Sequence, residues 1–274
     1  MNQYENWAVR SVQQWGDTYG LAERFMAEAR SLINSGEIRQ HEMLKIIRIL
    51  LFGRILSGTH GIVMLSKAGL STEADVLFRA NMEALFRLAA LVEDETMLDA
   101  YLGEDYPRRR KAMGDISKLL STCNPRPDGS VTDADLDAAL RKIDQEETAF
   151  LKSSKQKRLR EISTWEWVKA GNQTDFFYGK YLLHSNTAHH GARDLERHLV
   201  KSADGQEVDS ILLHPDTTSP VELLVDTLLL LSRAIDLYAK SIQVEIPTAL
   251  WALRSELDVL FAATPRGTDS ASNL

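Results

Sequence analysis

Cysteine is almost missing from this chain. Of 274 residues only Cys123 is one, so no internal disulfide and no cysteine-based zinc site is expected. The first fifteen residues, MNQYENWAVRSVQQW, lack the basic and then apolar run of a signal peptide. The longest apolar runs are interrupted by charge, at Arg48, Arg54 and Asp226. None reaches the roughly 20 residues a bilayer needs, so the expectation is a cytoplasmic protein with no membrane segment. The net charge of −7 argues against a general nucleic-acid coat but leaves room for a local basic site. Internal repeats and βαβ alternation are absent. So are Glu-x-x-His, His-Glu-x-x-His, the phosphate loop Gly-x-x-x-x-Gly-Lys-Ser/Thr, the Gly-x-Ser-x-Gly elbow and the His-Asp dipeptide. No metal and no cofactor is therefore expected.

What is present is helical period. Leu44, Ile47, Leu51, Ile55, Gly58, Ile62 and Leu65 step by three or four through 38–68. Gly58 and Gly61 each cost about 1 kcal/mol of helix propensity relative to alanine, which predicts close approach of a neighbouring element. His60, between them, reads as a packed core histidine. Leu77, Ala84, Leu88 and Leu91 line 72–92, with Met82 and Phe86 opposite. In 219–244, Val221, Leu224, Val225, Leu228, Leu231, Ile235, Tyr238 and Ile242 hold period for six turns. With 173–199 these are the main helices of an all-α fold, a single helical bundle over 1–263. The 105–171 segment reads as an exposed helical insertion or lid. Residues 264–274 read as a polar, disordered tail. Within 105–171 two basic runs, Arg108 to Lys111 and Lys152 to Arg160, flank an exposed polar helix from Thr132 to about Leu151 and suggest an electrostatic footprint for an anionic ligand.

The chemistry concentrates between Phe176 and Leu199, FFYGKYLLHSNTAHHGARDLERHL. Four of the seven histidines lie there, His184, His189, His190 and His198, with Arg193, Asp194 and Arg197 among them. Tyr178, Tyr181, Ser185, Ala188 and Ala192 recur at helix period and give that helix a small and aromatic face. His190 and Asp194 are spaced i,i+4, so a carboxylate is placed to orient an imidazole. A second stripe at spacing four, Arg79, Glu83 and Arg87, crosses an otherwise apolar helix. It reads either as a surface ion-pair ladder or as a buried pair that marks a site.

Arg193 to His198 resembles the Arg-x(4–6)-His motif of HEPN-domain ribonucleases, and Asp194 fits the polar residue that often follows their arginine. That resemblance implies an all-helical, metal-independent endoribonuclease, with histidine as acid or base and arginine on the phosphate charge. It also implies a homodimer. A residue spacing of five sets Arg193 and His198 about 140° apart on an ideal helix, so a kink or a partner subunit is required to bring them together. A broader resemblance covers roughly residues 40–245. Arg79-x-x-x-Glu83, then tyrosine-rich sequence with Tyr181, then Ser185-x-x-x-His189-His190-Gly191 looks like the bacterial domain of unknown function 5677 family. It implies a helical fold without an assigned activity and draws attention to Arg79, Glu83 and His190.

Two function classes follow. One is a ribonuclease of a bacterial toxin or anti-phage defence system, with His190, Arg193, Asp194 and His198 catalytic and RNA or another anion as ligand. The other is a non-catalytic binding or regulatory module, with Arg79, Glu83, Tyr181, Ser185 and His189 lining a pocket or an interface.

Overall fold

The computed structural model describes residues 3–35, 41–122, 131–154, 156–174, 176–188, 199–202, 207–211 and 219–264. The chain is all-α apart from one small hairpin. It divides into two compact units, one of residues 1–93 with 168–274, the other of residues 94–167.

In the first unit, α1 (Gln3–Asn34) runs to Asn34 with a break at Trp15, whose φ and ψ of −123° and 24° are not helical. That break lies one residue before Gly16. The helix α2 (Met43–Lys67) packs against α1, α3 (Ser71–Glu93) and α9 (Val221–Ile242). Among the described residues this unit also holds α8 (Phe176–Ala188), which lies on α3, and α10 (Thr248–Ala263), which lies on α1 and α9. The core is Phe25, Phe52, Ile55, Ile62, Phe78, Met82, Leu85, Leu228, Leu231 and Tyr238, all buried. Phe52 and Tyr238 stack with centroids 4.5 Å apart, tying α2 to α9.

The close approach predicted for Gly58 and Gly61 is present. A Cβ on Gly58 would lie 1.9 Å from Asn81 Oδ1, and one on Gly61 would lie 2.6 Å from Leu77 Cδ2. Asn81 uses the space to donate to the Ile55 carbonyl at 3.1 Å. Gly69, at φ 73°, ends α2. The Leu70 N–H reaches back to Leu65 O, which satisfies a carbonyl at the helix end.

Three expectations are corrected here. His60 is exposed rather than packed, and its Nδ1 lies 3.4 Å from Arg30 Nη2. It faces outward because α3 and α9 cover the opposite side of α2. The α2 helix is also, among the described residues, long and apolar enough to span a bilayer by length and composition. Arg48 does not interrupt it as a surface charge would. Arg48 is buried, and its Nε donates to Leu91 O at 3.1 Å, where α3 runs out of its own donors. With half of its most apolar stretch buried, α2 is a core helix of the bundle. Finally, of the helix expected over 173–199 the described part is α8, residues 189–198 lie outside the described residues, and Leu199 belongs to a strand. That strand, β1 (Leu199–Lys201), pairs antiparallel with β2 (Val208–Ile211), Leu199 opposite Ile211. Leu199 and Val200 are apolar in succession, a strand pattern that the helical period upstream concealed.

The second unit holds α4 (Met97–Gly103), α5 (Asp105–Thr122), α6 (Asp133–Ser153) and the start of α7 (Thr164–Ala170). Thr132 and Asp135 form a reciprocal capping box at α6. Ser163 and Glu166 do the same at α7, the Glu166 N–H donating to Ser163 Oγ and the Ser163 N–H to Glu166 Oε2. Hydrogen bonds from Arg160 and Ser163 pull the Glu166 carboxyl down to about 2. The first basic run is not a free anion footprint. Arg108 pairs with Glu104, Arg109 with Asp105 and Glu146, and Arg110 with Asp144 and Glu147. The carboxylates come mostly from α6, one helix away. In the second run Arg160 pairs with Glu166, and Lys155 lies outside the described residues.

Back in the first unit, Gly171 follows α7 for a packing reason rather than a conformational one. The left-handed residue there is Asn172, at φ 52°. A Cβ on Gly171 would come within 2.8 Å of the Ala90 backbone nitrogen on α3.

Candidate functional site

The α3 helix presents Asp75, Arg79, Glu83 and Arg87 at spacing four, so they share one face. Facing them is α8, running antiparallel: His184 meets Asp75, and Tyr181 meets Arg79 and Glu83. The contact between these two helices therefore carries a row of polar pairs, beside the rings of Phe78 and Phe86.

Its middle is a tyrosine held between opposite charges. Arg79 Nη2 donates to Tyr181 Oη at 3.1 Å, and Tyr181 Oη donates to Glu83 Oε1 at 3.3 Å. Arg79 Nη2 also lies 3.5 Å from Glu83 Oε1, and its guanidinium carbon sits 5.2 Å from the Tyr181 ring centroid. The Tyr181 ring in turn meets Phe86 edge-on, and Tyr178 stacks beside it. Arg87 reaches Glu83 from the other side, at 3.9 Å. The pair is neither a surface ladder nor a sealed one: the Arg79 side chain is 18% exposed and that of Glu83 34%. Arg79 Nε is buried with no acceptor among the described residues. A donor is thus left unused beside a carboxylate that opens to solvent.

A second set of groups continues from α8 to α9. His184 Nδ1 lies 3.3 Å from Asp75 Oδ1, with the imidazole edge-on to Phe78. Lys180, one turn earlier, reaches Asp226 Oδ2 at 2.6 Å and Glu222 Oε1 at 3.2 Å, both on α9. Asp226 is buried. Burial pushes its carboxyl up, more than the hydrogen bond and charge of Lys180 pull it down. Burial alone would lower the Lys180 ammonium, yet the two carboxylates outweigh it and hold the group above its ordinary value. Asp75, His184, Asp226, Lys180 and Glu222 form one chain of titratable groups across three helices.

The sequence-predicted residues divide accordingly. Arg79, Glu83 and Tyr181 are brought together, and Ser185 lies one turn beyond Tyr181 on α8. His189, His190, Arg193, Asp194 and His198 lie outside the described residues. Asp75, Lys180, Glu222 and Asp226 were not among the expected site residues, and His184 only as one of the four clustered histidines. A signal for them exists: Lys180/His184 and Glu222/Asp226 are each i,i+4, and Asp226 interrupts a run of apolar residues. Among the described residues no group of three or more His, Cys, Asp or Glu side chains is placed to hold a metal ion.

Residues 45–207 match the model of the family of unknown function DUF5677. No curated protein and no solved structure matches the chain. The matched stretch covers more than half of the sequence and carries both walls of the α3–α8 contact. The chain belongs to this family.

Proposed function

We propose that this DUF5677 member is a metal-independent endoribonuclease of the HEPN-like kind, with its site at the α3–α8 face and in the segment that follows α8. The observation that supports it most is the setting of Arg79. A half-buried guanidinium, one N–H of which has no acceptor among the described residues, is fixed by Tyr181, on the helix whose chain leads within a few residues to His189 and His190. Arginine suits the task because its planar fork grips two phosphate oxygens. Imidazole suits acid–base work because its unperturbed pKa of about 6.5 leaves both forms available near neutrality.

In this reading His190 or His198 takes the proton from a ribose 2′-hydroxyl. The 2′-oxygen attacks phosphorus, and the bond to the 5′-oxygen breaks. A protonated histidine supplies the proton to that leaving oxygen, which yields a 2′,3′-cyclic phosphate and a 5′-hydroxyl. Arg193 and Arg79 carry the phosphate charge, and Asp194 orients His190. The protein acts as a homodimer in the bacterial cytoplasm, as a toxin or defence effector.

The test is RNA cleavage by purified protein in EDTA, comparing wild type with His190→Ala, His198→Ala, Arg193→Lys and Arg79→Lys. Loss of most activity in the arginine variants and in one histidine variant is the expected result. Cleavage that survives both histidine changes, or that requires added metal, removes the mechanism.

One observation favours a second reading. Glu83 already neutralises Arg79, Asp226 is paired with Lys180, and Asp75 faces the His184 imidazole. A set of polar groups so far satisfied from within also suits a non-catalytic module that recognises a partner or small anion. Absence of cleavage under every condition, with an intact fold, selects this reading.

A further inference from the structure

The α2 helix carries an apolar stripe that the bundle does not cover. Met43, Leu50, Ser57 and Met64 follow one another at intervals of seven, and Ile46, Gly53, His60 and Lys67 at intervals of seven between them. Together they make a 3.5-residue repeat along the whole helix, the repeat that sets one helix against another in a left-handed crossing. The stripe faces out. Met43 is 49% exposed, Leu50 66% and Met64 56%. Single exposed leucines are ordinary. Three large apolar residues at heptad positions on one of the most apolar helices of the chain are not.

We propose that this face of α2 seats a second copy of the chain, the two α2 helices packing antiparallel and crossing at Gly53 and Ser57. A Cβ placed on Gly53 meets nothing within 4 Å, so the backbone there is open to close approach. With the crossing at that point, Met64 lies against Ile46 of the second copy and Leu50 against His60 of the second copy. Charge selects the direction. A parallel pair would set Arg54, His60 and Lys67 each beside its own copy. The antiparallel pair brings the Lys67 end of one helix to the Glu42 end of the other.

Size is consistent with this. A helix of 25 residues is about 37 Å long, so a strip about 10 Å wide covers roughly 750 Å² over two copies. The rim of α1 adds to it, since Arg30 sits beside His60 and Glu23 pairs with Lys67. That brings the total toward the roughly 1,000 Å² that a specific interface needs. A lipid surface fits the same stripe less well, because Arg54 lies on its exposed side and acyl chains offer a guanidinium neither water nor a counter-charge. The interface is independent of the catalytic reading and stands whether or not RNA is cleaved.

Light scattering of the full chain at micromolar concentration should give twice 30.8 kDa. Leu50→Glu and Met64→Glu should each give the monomer mass while keeping the helical circular dichroism spectrum and a cooperative melt. Orientation is read by crosslinking in a Cys123→Ser background. Protein carrying both Ile46→Cys and Met64→Cys should form covalent dimers, whereas Met64→Cys alone should not, its two copies being about 27 Å apart along the helices. A monomeric wild type overturns the proposal, as does a dimer untouched by either glutamate. Dimers crosslinked through Met64→Cys alone overturn the antiparallel arrangement. Wild type that sediments with phospholipid vesicles, lost in Leu50→Glu, assigns the face to a membrane instead.

Discussion

The Nδ1 atom of His184 faces the Asp75 carboxylate across 3.3 Å, and the carboxylate is buried on the opposite helix. An imidazole so placed fixes the rotation of α8 on α3 as well as its own ring. Asp75→Ala should therefore destabilise the protein by about 1–3 kcal/mol, the range for stranding a buried hydrogen-bonding group. Asp75→Asn keeps an acceptor and should cost less than Asp75→Ala. Urea denaturation measures both. Equal losses for the two variants would show that the contact is steric.

Lys180 gives a prediction in pH. Lys180→Met leaves the Asp226 carboxylate buried without its main partner, and breaking such a pair costs about 3 kcal/mol at neutral pH. The folded-state pKa of Asp226 already lies above the ordinary 3.8. The folded chain thus binds that proton more tightly than the unfolded chain. This contribution to stability is full below the ordinary pKa and is lost as pH rises through the raised one. The substitution should push the carboxyl higher still and widen that window. Its penalty should accordingly shrink as the pH is lowered from 7 toward 4, in denaturation curves taken across that range. A penalty independent of pH would place the damage in packing and not in the charge.

Two glycines should respond oppositely to alanine. Gly58→Ala drives a methyl into Asn81, whose donation to Ile55 O must break, and should cost about 1–3 kcal/mol despite the better helix propensity. Gly114→Ala, in α5, meets nothing within 4 Å and should gain up to about 1 kcal/mol. Thermal melts of the two variants should shift in opposite directions.

The helices were legible because burial imposes period. Of the residues expected to line 38–68 and 219–244, α2 buries Ile47, Leu51, Ile55, Gly58 and Ile62, and α9 buries Leu224, Val225, Leu228, Leu231, Ile235 and Tyr238, while Leu44, Leu65, Val221 and Ile242 near the ends are half-buried. The caps at Thr132 and Ser163 lie where local chemistry puts them. The candidate site was legible only where its residues are neighbours on one helix, as Arg79 and Glu83 are. Tyr181 answers Arg79 from 102 residues away, and Lys180 answers Asp226 from 46. Such pairings depend on how helices are set against each other, which no local pattern encodes. The basic run at 108–111 misled for the same reason. Its counter-charges sit mainly on α6, more than thirty residues further on. His60 misled in the opposite sense, since an apolar neighbourhood in sequence does not say which side of the helix the bundle covers.

The first unit is discontinuous, made of residues 1–93 and 168–274 with a complete second unit between them. During synthesis α1, α2 and α3 leave the ribosome well before α8 and α9. Until those arrive, Asp75 has no His184, Arg79 has no Tyr181, and the apolar side of α2 that Tyr238 will stack on has no cover. The nascent chain must carry a half-built bundle through the time taken to translate more than seventy residues. The polar contact between α3 and α8 is thus among the last parts of the molecule to form, and a truncated translation product ending in the second unit contains none of it.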